Sequence, residues 1–366
     1  MKRFHRLAGV LGFLLLAGCG GGGDSNQNTI QDDKLLTRQL QTVQGKGYSI
    51  TVIEPLPKDD WVTIKAMNNK GQLVGISRTR PFDPPSSGPW PYSAYHVVMV
   101  ADGAITQLPL LTKGSNPSDT VINGINDAGV SVGISSASGV VQPTIWQNGT
   151  VKAFTGVTKA TFNGDAGQIT LFGISSSGAV LGGTDAVGDN PFLWKDGVVT
   201  RLSLPSLSNS YRPLAMTPGG VILGIGLKGK PQPGYVWQNG TVTLLEGGSN
   251  DCYITGVNDQ GQVVGYANNH AVIWQNGAIT DLTPQIASTN SFSYAYGINN
   301  QGDIVGSYYP SQGIRHGFLL RNGKLTDLNA FMPDSSWVVE DADMINDRGQ
   351  ILVTANSGPS LLLTPN

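Results

Sequence analysis

The sequence predicts an all-β fold, a seven-bladed β-propeller of four-stranded antiparallel blades, and three observations carry that prediction. A phrase of the form Asn-x-x-Gly-x-aliphatic-aliphatic-Gly recurs along the chain, anchored at Gly71, Gly129, Gly178, Gly220, Gly261, Gly302 and Gly349. The gaps between anchors are 58, 49, 42, 41, 41 and 47 residues. A second phrase, an Asn-Gly or Asp-Gly turn between β-branched and aromatic residues, alternates with the first. The two chain ends, finally, each hold part of one repeat. A period of roughly 40–50 residues rich in strand signals belongs to propellers rather than to a single layered domain.

Each repeat builds two hairpins. In Asn68-Asn69-Lys70-Gly71-Gln72-Leu73-Val74-Gly75 the first Gly can take the left-handed conformation and the Asn can bond its own backbone. The last copy, Asn346 to Leu352, has Val353 in place of the final Gly. The second phrase is clearest in Trp274-Gln275-Asn276-Gly277-Ala278-Ile279-Thr280-Asp281-Leu282. Copies begin at Trp146, Trp194 and Trp237, and at Val100 and Leu320 with an aliphatic residue for the Trp. Asn-Gly and Asp-Gly supply the two positive-φ positions of a type I′ hairpin turn. Residues 254–282 therefore give four strands, roughly Ile254–Val257, Gln262–Ala267, Ala271–Trp274 and Ala278–Leu282. A helical repeat is excluded: the mature chain has no apolar residues at helical spacing, and it carries 49 Gly and 21 Pro.

The ends supply closure. The last copy runs Val338–Ile345, Gln350–Ala355 and Leu361–Pro365, one strand short, while Tyr48–Ile53 precedes the first copy as an orphan strand. The ring is expected to close by pairing N-terminal strand 48–54 with the C-terminal blade, which removes open sheet edges. Blades are expected near 61–108, 121–154, 169–202, 211–245, 252–282, 294–328, and 337–364 plus 48–54, about 28 strands in all.

Residues 1–18 read as a lipoprotein signal peptide: Lys2, Arg3 and Arg6, then a short apolar run from Leu7 to Leu16. Leu16-Ala17-Gly18-Cys19 resembles the bacterial lipobox, which implies that Cys19 is diacylated and becomes the mature N-terminus. More than one acyl chain suffices for stable anchoring. Gly20 after the Cys, rather than Asp, favours the outer membrane in a Gram-negative host, with the periplasmic or surface face left open. Residues 19–46, low in apolar content and rich in Gly, Asn, Gln and Asp, read as a flexible tether, and 47–366 as the propeller. Loss of the leader moves the formal net charge from −2 to −5, which argues against nucleic acid as a partner. Cys252 then has no disulfide partner and reads as a small buried hydrophobe.

Gly256-Val257-Asn258-Asp259-Gln260-Gly261-Gln262-Val263-Val264-Gly265-Tyr266, followed by His270-Ala271-Val272-Ile273-Trp274, resembles the HAF-repeat family of probable extracellular proteins. His316-Gly317-Phe318, His96-Val97-Val98 and the closing Leu361-Leu362-Leu363-Thr364-Pro365 carry the same resemblance, which spans 48–366. Asn190, Gln142 and Pro233 depart from it at the His position. The resemblance implies a repeat architecture and an envelope location, with no assigned reaction.

The chemistry-bearing residues argue against catalysis. His96, His270 and His316 occupy one repeated position in three blades, so they should lie far apart and bind no metal. No Gly-x-Ser-x-Gly elbow and no sialidase-type Asp box is present, and Glu is confined to Glu54, Glu246 and Glu340. Asp341-Ala342-Asp343 with Asp347 faintly resembles a calcium loop but reads better as a solvated strand edge. Asp127, Asp259 and Asp347 share one turn position and read as turn formers, and the four repeated Trp as packing between blades. No catalytic residue, metal or cofactor is assigned.

Binding should use what breaks the repeat. The first unit exceeds the others by Arg78 to Tyr92, a loop between its second and third strands with Arg78, Arg80, Phe82, Trp90 and Tyr92 as candidate ligand contacts. Second-to-third and fourth-to-first connections emerge on one face of a propeller, and this variable face is the expected binding face. The sequence thus reads as a lipid-anchored, monomeric, non-catalytic binding or scaffold module for an envelope protein or glycan. Alternatives are a carbohydrate-active hydrolase or lyase with a site over the central channel, and a structural or adhesive surface protein.

Overall fold

The computed structural model describes residues 35–366 apart from 80–94, 113–119, 138–139, 155, 158–168, 185–190, 203–210, 227–233, 246–251, 287–291, 335 and 357. Cys19, Arg80, Phe82, Trp90 and Tyr92 lie outside the described residues. Among those described, thirty strands form seven antiparallel sheets arranged as a ring, the seven-bladed propeller expected from the repeats. Strands within a blade are called first to fourth from the axis outward. The first strands are Trp61–Met67, Val121–Ile125, Ile169–Ile174, Tyr211–Met216, Cys252–Val257, Ser293–Ile298 and Val339–Ile345.

The Asn-Gly turns form as the residue types require. Asn276 and Gly277 have φ of 52° and 88°, both positive as a type I′ turn demands, and five other blades repeat the pair. The Trp that opens this phrase sits on the third strand and packs into the junction with the preceding blade. Trp146 is 1% exposed, lies among Val74, Val97 and Leu108 of blade 1, and donates its Nε1 proton to the Pro109 carbonyl at 2.8 Å. Trp274 is equally buried and meets Val221, Leu223 and Val236 of blade 4. The apolar clusters thus span neighbouring blades, and burial of these rings against the adjacent sheet is what holds blade to blade.

The Asn-x-x-Gly turn does two jobs. Within its own turn Asn258 Oδ1 accepts from the Gln260 and Gln262 amides at 3.2 and 3.0 Å. Across the junction its Nδ2 donates to the Asn299 carbonyl at 3.1 Å. Asn299 does the same to Asn346 at 3.2 Å, Asn346 to Asn68 at 2.9 Å, Asn68 to Asn126 at 2.9 Å, and Asn126 to Ser175 at 3.1 Å. Ser175 and Thr217 lack an amide, so backbone Ser176 donates to the Pro218 carbonyl and Gly219 to Asp259 Oδ1. The next residue adds a second ring: Asp127 accepts from the Asn69 amide at 2.7 Å and Asp347 from the Asn300 amide at 2.8 Å. Asp127, Asp259 and Asp347 are therefore acceptors for neighbouring blades, rather than formers of their own turn.

The final Gly of the phrase has a steric cause. Every first strand carries a one-residue register shift against its second strand, as between Ile254 and Gly256 or Ala295 and Gly297. A Cβ on Gly265 or Gly306, opposite the shift, would lie 1.9 Å from the carbonyl oxygen of Tyr253 or Tyr294. Only Gly admits that approach. In blade 7 Val353 stands there, and the first strand answers with two shifts, at Val339/Asp341 and Ala342/Met344.

The ring closes as expected, with Tyr48–Ile53 pairing Ser360–Pro365 over six residues. Part of the segment assigned to the tether is folded, which corrects the expected start of the propeller. Thr37–Gln39 adds a fifth strand to blade 1, and Gln41–Gln44 adds one to blade 7. The chain crosses the seam between them, with Leu36 and Leu40 packed on its apolar core. The reason is that the outer edges of blades 1 and 7 offer unpaired backbone groups, which a polar strand with one inward apolar residue, such as Val43, can satisfy. Apolar content alone did not reveal it.

Gly306→Ala is expected to lower the unfolding free energy by about 2 kcal/mol, the scale of forced overpacking. Urea titration of the full chain checks this, and a wild-type midpoint would contradict the bulge argument.

Candidate functional site

The axis of the ring is a channel cavity of about 370 Å³ lined by all seven first strands. The register shift sets what faces it. One residue left over at a shift in each blade, Lys65, Asn123, Phe172, Leu214, Thr255, Tyr296 and Asp343, lines the cavity, whereas Glu340, left over at the extra shift of blade 7, does not. Around the ring this gives an apolar arc in blades 3 and 4 and a polar arc in blades 5, 6, 7, 1 and 2. Two of the polar groups are committed to the neighbouring blade: Asn123 Nδ2 donates to the Leu171 carbonyl, and Thr255 Oγ1 to the Ala295 carbonyl, each at 2.8 Å.

Between blades 6 and 7 the polar arc becomes a charged cluster. Arg315, on the third strand of blade 6, donates to Tyr296 OH at 2.8 Å and to Ser307 Oγ at 3.3 Å, and forms an ion pair with Asp341. Burial pushes the Asp341 carboxyl up to about 6 against the opposing pull of Arg315. Asp343 is also raised, chiefly by burial, although Thr354 Oγ1 donates to it at 2.8 Å. These two acids sit on the innermost strand and are well covered, so the expectation of a solvated strand edge is corrected. Their relatives in the faint calcium pattern do not converge either, because Asp347 is held by Asn69 and Asn300 in the turn ring. Among the described residues no group of three or more His, Cys, Asp or Glu is placed to hold a metal.

A second cavity, of about 610 Å³, opens at the seam between blades 7 and 1. Its mouth holds Glu54, Pro55, Asp60, Trp61 and Gly358 to Ser360, all from connections or strand ends on the variable face, and it runs inward to Ile64 and Leu352. Asp343 and Met344 line both this cleft and the channel. Trp61 Nε1 donates to Thr63 Oγ1 at 3.2 Å.

Of the sequence candidates for ligand contact, Arg78 is described. It ends the second strand of blade 1 opposite Trp61, donates to Tyr95 OH at 3.3 Å, and lies 5.8 Å from the Tyr95 ring centroid. It thus stands on the face and beside the blade that form the seam cleft. The histidines stay apart, each bound to its own carboxylate. His270 Nδ1 meets Asp281 at 2.9 Å and His316 Nδ1 meets Asp327 at 2.6 Å, eleven residues on in both cases. In blade 1 that position is Gln107, and His96 turns instead to buried Asp59 at 2.9 Å. For Asp327, burial works to raise the carboxyl, but the Asn329 amide and His316 together hold it below its ordinary value. That interaction supplies stability above the usual carboxylate range, lost as pH falls through the depressed value.

The channel-lining residues were missed at the sequence level. Their signal is positional: each lies three residues before the first residue of the turn phrase, from Lys65 before Asn68 to Asp343 before Asn346. Aligning the seven repeats exposes that column as the one whose chemistry differs in every blade.

No protein-family model matches the chain, and no curated protein matches it. Solved structures do. One is a catalytically inactive virginiamycin B lyase from Staphylococcus aureus with quinupristin, at 12% identity and a TM-score of 0.49, covering 90% of this chain and 99% of that one. A gluconolactonase from Xanthomonas campestris matches at 12% identity and a TM-score of 0.37, covering 91% and 98%. A lectin in complex with alpha methyl fucoside matches at 10% identity and a TM-score of 0.37, covering 84% and 90%. These likenesses bear on neither reaction nor ligand.

Because the folded state holds the Asp341 proton more tightly than the unfolded chain does, the contribution of this group is complete below roughly pH 4. It is lost as pH rises through about 6. Asp341→Asn should remove that dependence. The difference in urea-unfolding free energy, wild type minus variant, should fall between pH 4 and pH 7, and a constant difference would refute the assignment.

Proposed function

We propose that this protein is a non-catalytic binding module of the bacterial cell envelope, anchored by lipid on Cys19 and engaging a protein or glycan on its variable face. The single observation that carries the binding reading is the seam cleft, because it shares Asp343 and Met344 with the channel and has Trp61, the strand partner of Arg78, at its mouth. A recess of this size with an apolar floor and a few carboxylates at its rim has the composition of a ligand site. The opposite face is a poorer candidate, since its turns spend their polar groups on one another. The likeness of the repeats to the HAF-repeat family and the lipobox-like Leu16-Ala17-Gly18-Cys19 support an envelope location.

One observation favours a second reading. Asp341 and Asp343 are two carboxyls held above their ordinary values beside the channel, which is what a general acid and base require. A carbohydrate-active hydrolase or lyase would use them there. Turnover of polysaccharides by the wild-type chain, abolished in Asp343→Asn, would favour catalysis over binding.

Two measurements test the leading reading. Cys19→Ser should abolish labelling by radioactive palmitate in a bacterial host and move the protein from the membrane to the soluble fraction. Trp61→Ala should deplete the set of envelope components captured by the detergent-extracted full chain. Capture unchanged by that substitution removes the seam cleft from the proposal.

A further inference from the structure

Away from both cavities, the junction of blades 5 and 6 carries a continuous run of aromatic rings on the variable face. Tyr253 is the second residue of the first strand of blade 5 and pairs directly with Tyr266 on the second strand. Their rings stack at 4.8 Å and 24°. Tyr266 meets Tyr294 of blade 6 edge-on at 5.0 Å, Tyr294 meets Tyr309 at 6.4 Å, and Tyr309 meets Phe292 at 6.0 Å. The two ends of the run, Tyr253 and Phe292, are 53% and 51% exposed. The connection beside it is the two-residue turn Asn268-Asn269, and Tyr266, Tyr294 and Tyr309 are half-buried between the exposed ends of the run. Both Asn side chains are exposed, and Asn269 Oδ1 accepts from Tyr294 OH at 3.2 Å.

Packing does not account for this surface. A core position would hold aliphatic or Phe side chains, whereas here four of five rings carry a hydroxyl and the terminal rings face solvent. Large, stiff side chains with an apolar face and a polar tip are residues of recognition. The polar tips also define the ligand. Burial raises the Tyr266 and Tyr294 phenols, so at neutral pH they stay uncharged and both donate and accept. The nearby cation, Arg315, is already engaged by Asp341, and the chain as a whole is negative. An anionic ligand would therefore gain no net attraction.

The geometry points to a binding site for a neutral glycan chain on this surface, with Tyr253, Tyr266, Tyr294 and Tyr309 as the stacking platform and Asn268 and Asn269 at its rim. The carbon–hydrogen faces of pyranose rings stack on π-faces, and their hydroxyls match groups that donate and accept alike. A proline-rich peptide would also lie on aromatic rings, but it lacks the hydroxyl donors that the Asn carboxamide oxygens would meet. The proposal goes beyond the binding reading above by using a different surface and fixing the ligand class.

The test is calorimetric titration of the detergent-extracted full chain with cellohexaose, chitohexaose and maltohexaose, beside a heparin hexasaccharide and a ten-residue polyproline. At least one neutral hexaose should bind. Tyr253→Ala and Tyr294→Ala should each weaken it about tenfold, the scale of a lost stacking contact, without lowering the melting temperature. Tyr253→Phe, which keeps the face, should bind nearly as well as wild type. The proposal is overturned if no neutral hexaose binds, if only heparin or polyproline binds, or if the Ala variants bind normally. Hexaose binding lost in Trp61→Ala but kept in the Tyr variants would overturn this site while leaving the seam reading intact.

Discussion

The ring rests on one side-chain choice, a carboxamide at the head of the Asn-x-x-Gly turn. The position needs an acceptor for its own turn and a donor for the next blade, and a short side chain with both is Asn. Ser175 and Thr217 show the halves coming apart. Their hydroxyls still accept from the Ala179 and Val221 amides at 3.1 Å, but the forward bond passes to backbone groups and to Asp259. Because these turns are buried, a missing link strands a polar group at a cost of about 1–3 kcal/mol. The cycle is complete only when Asn346 reaches Asn68, so the same bond that joins four other pairs of neighbouring blades also fixes where the ring closes.

The β-bulge separates scaffold from surface. Gly265 or Gly306 lets the first strand shift register without strain, and the shifted residue is freed from the ladder and aimed at the axis. A column left out of the backbone ladder can change from Lys65 to Phe172 to Asp343 while its neighbours stay constant. Blade 7 shows the converse. With Val353 where Gly is needed, the strand shifts twice, and Asp341 and Asp343, two acids whose carboxyls burial raises, lie at these irregularities.

Local chemistry made the architecture legible in advance. Asn-Gly pairs force type I′ turns, a repeated Gly marks the close approach, and the orphan Tyr48–Ile53 with the short last repeat can satisfy each other only by pairing. The clasp formed by Thr37–Gln39 and Gln41–Gln44 was hidden because its strands are polar and take their order from the edges they cover. The site was less legible for a related reason. Residues that break the repeat attracted attention to the loop after Arg78, whereas the channel column hides inside the repeat. The aromatic run is the case between: six of the 11 tyrosines fall between residues 253 and 309, a bias visible in the sequence, but their convergence depends on which strand faces which blade.

Symmetry limits where chemistry can sit in such a ring. A residue repeated in every blade lies on a circle, and on the outer strands that circle is wide. His96, His270 and His316 accordingly meet Asp59, Asp281 and Asp327 rather than each other. Two arrangements escape this constraint. At the axis the circle is small enough for seven different side chains to share one cavity, as the bulge residues do. At a junction, unlike positions of adjacent blades come together, as Arg315 with Asp341 or Tyr266 with Tyr294 do. A function for this fold must therefore be sought where a side chain differs from its counterparts at the axis or faces a neighbour across a junction, and the channel, the seam cleft and the tyrosine run are places where both geometry and residue identity meet that condition.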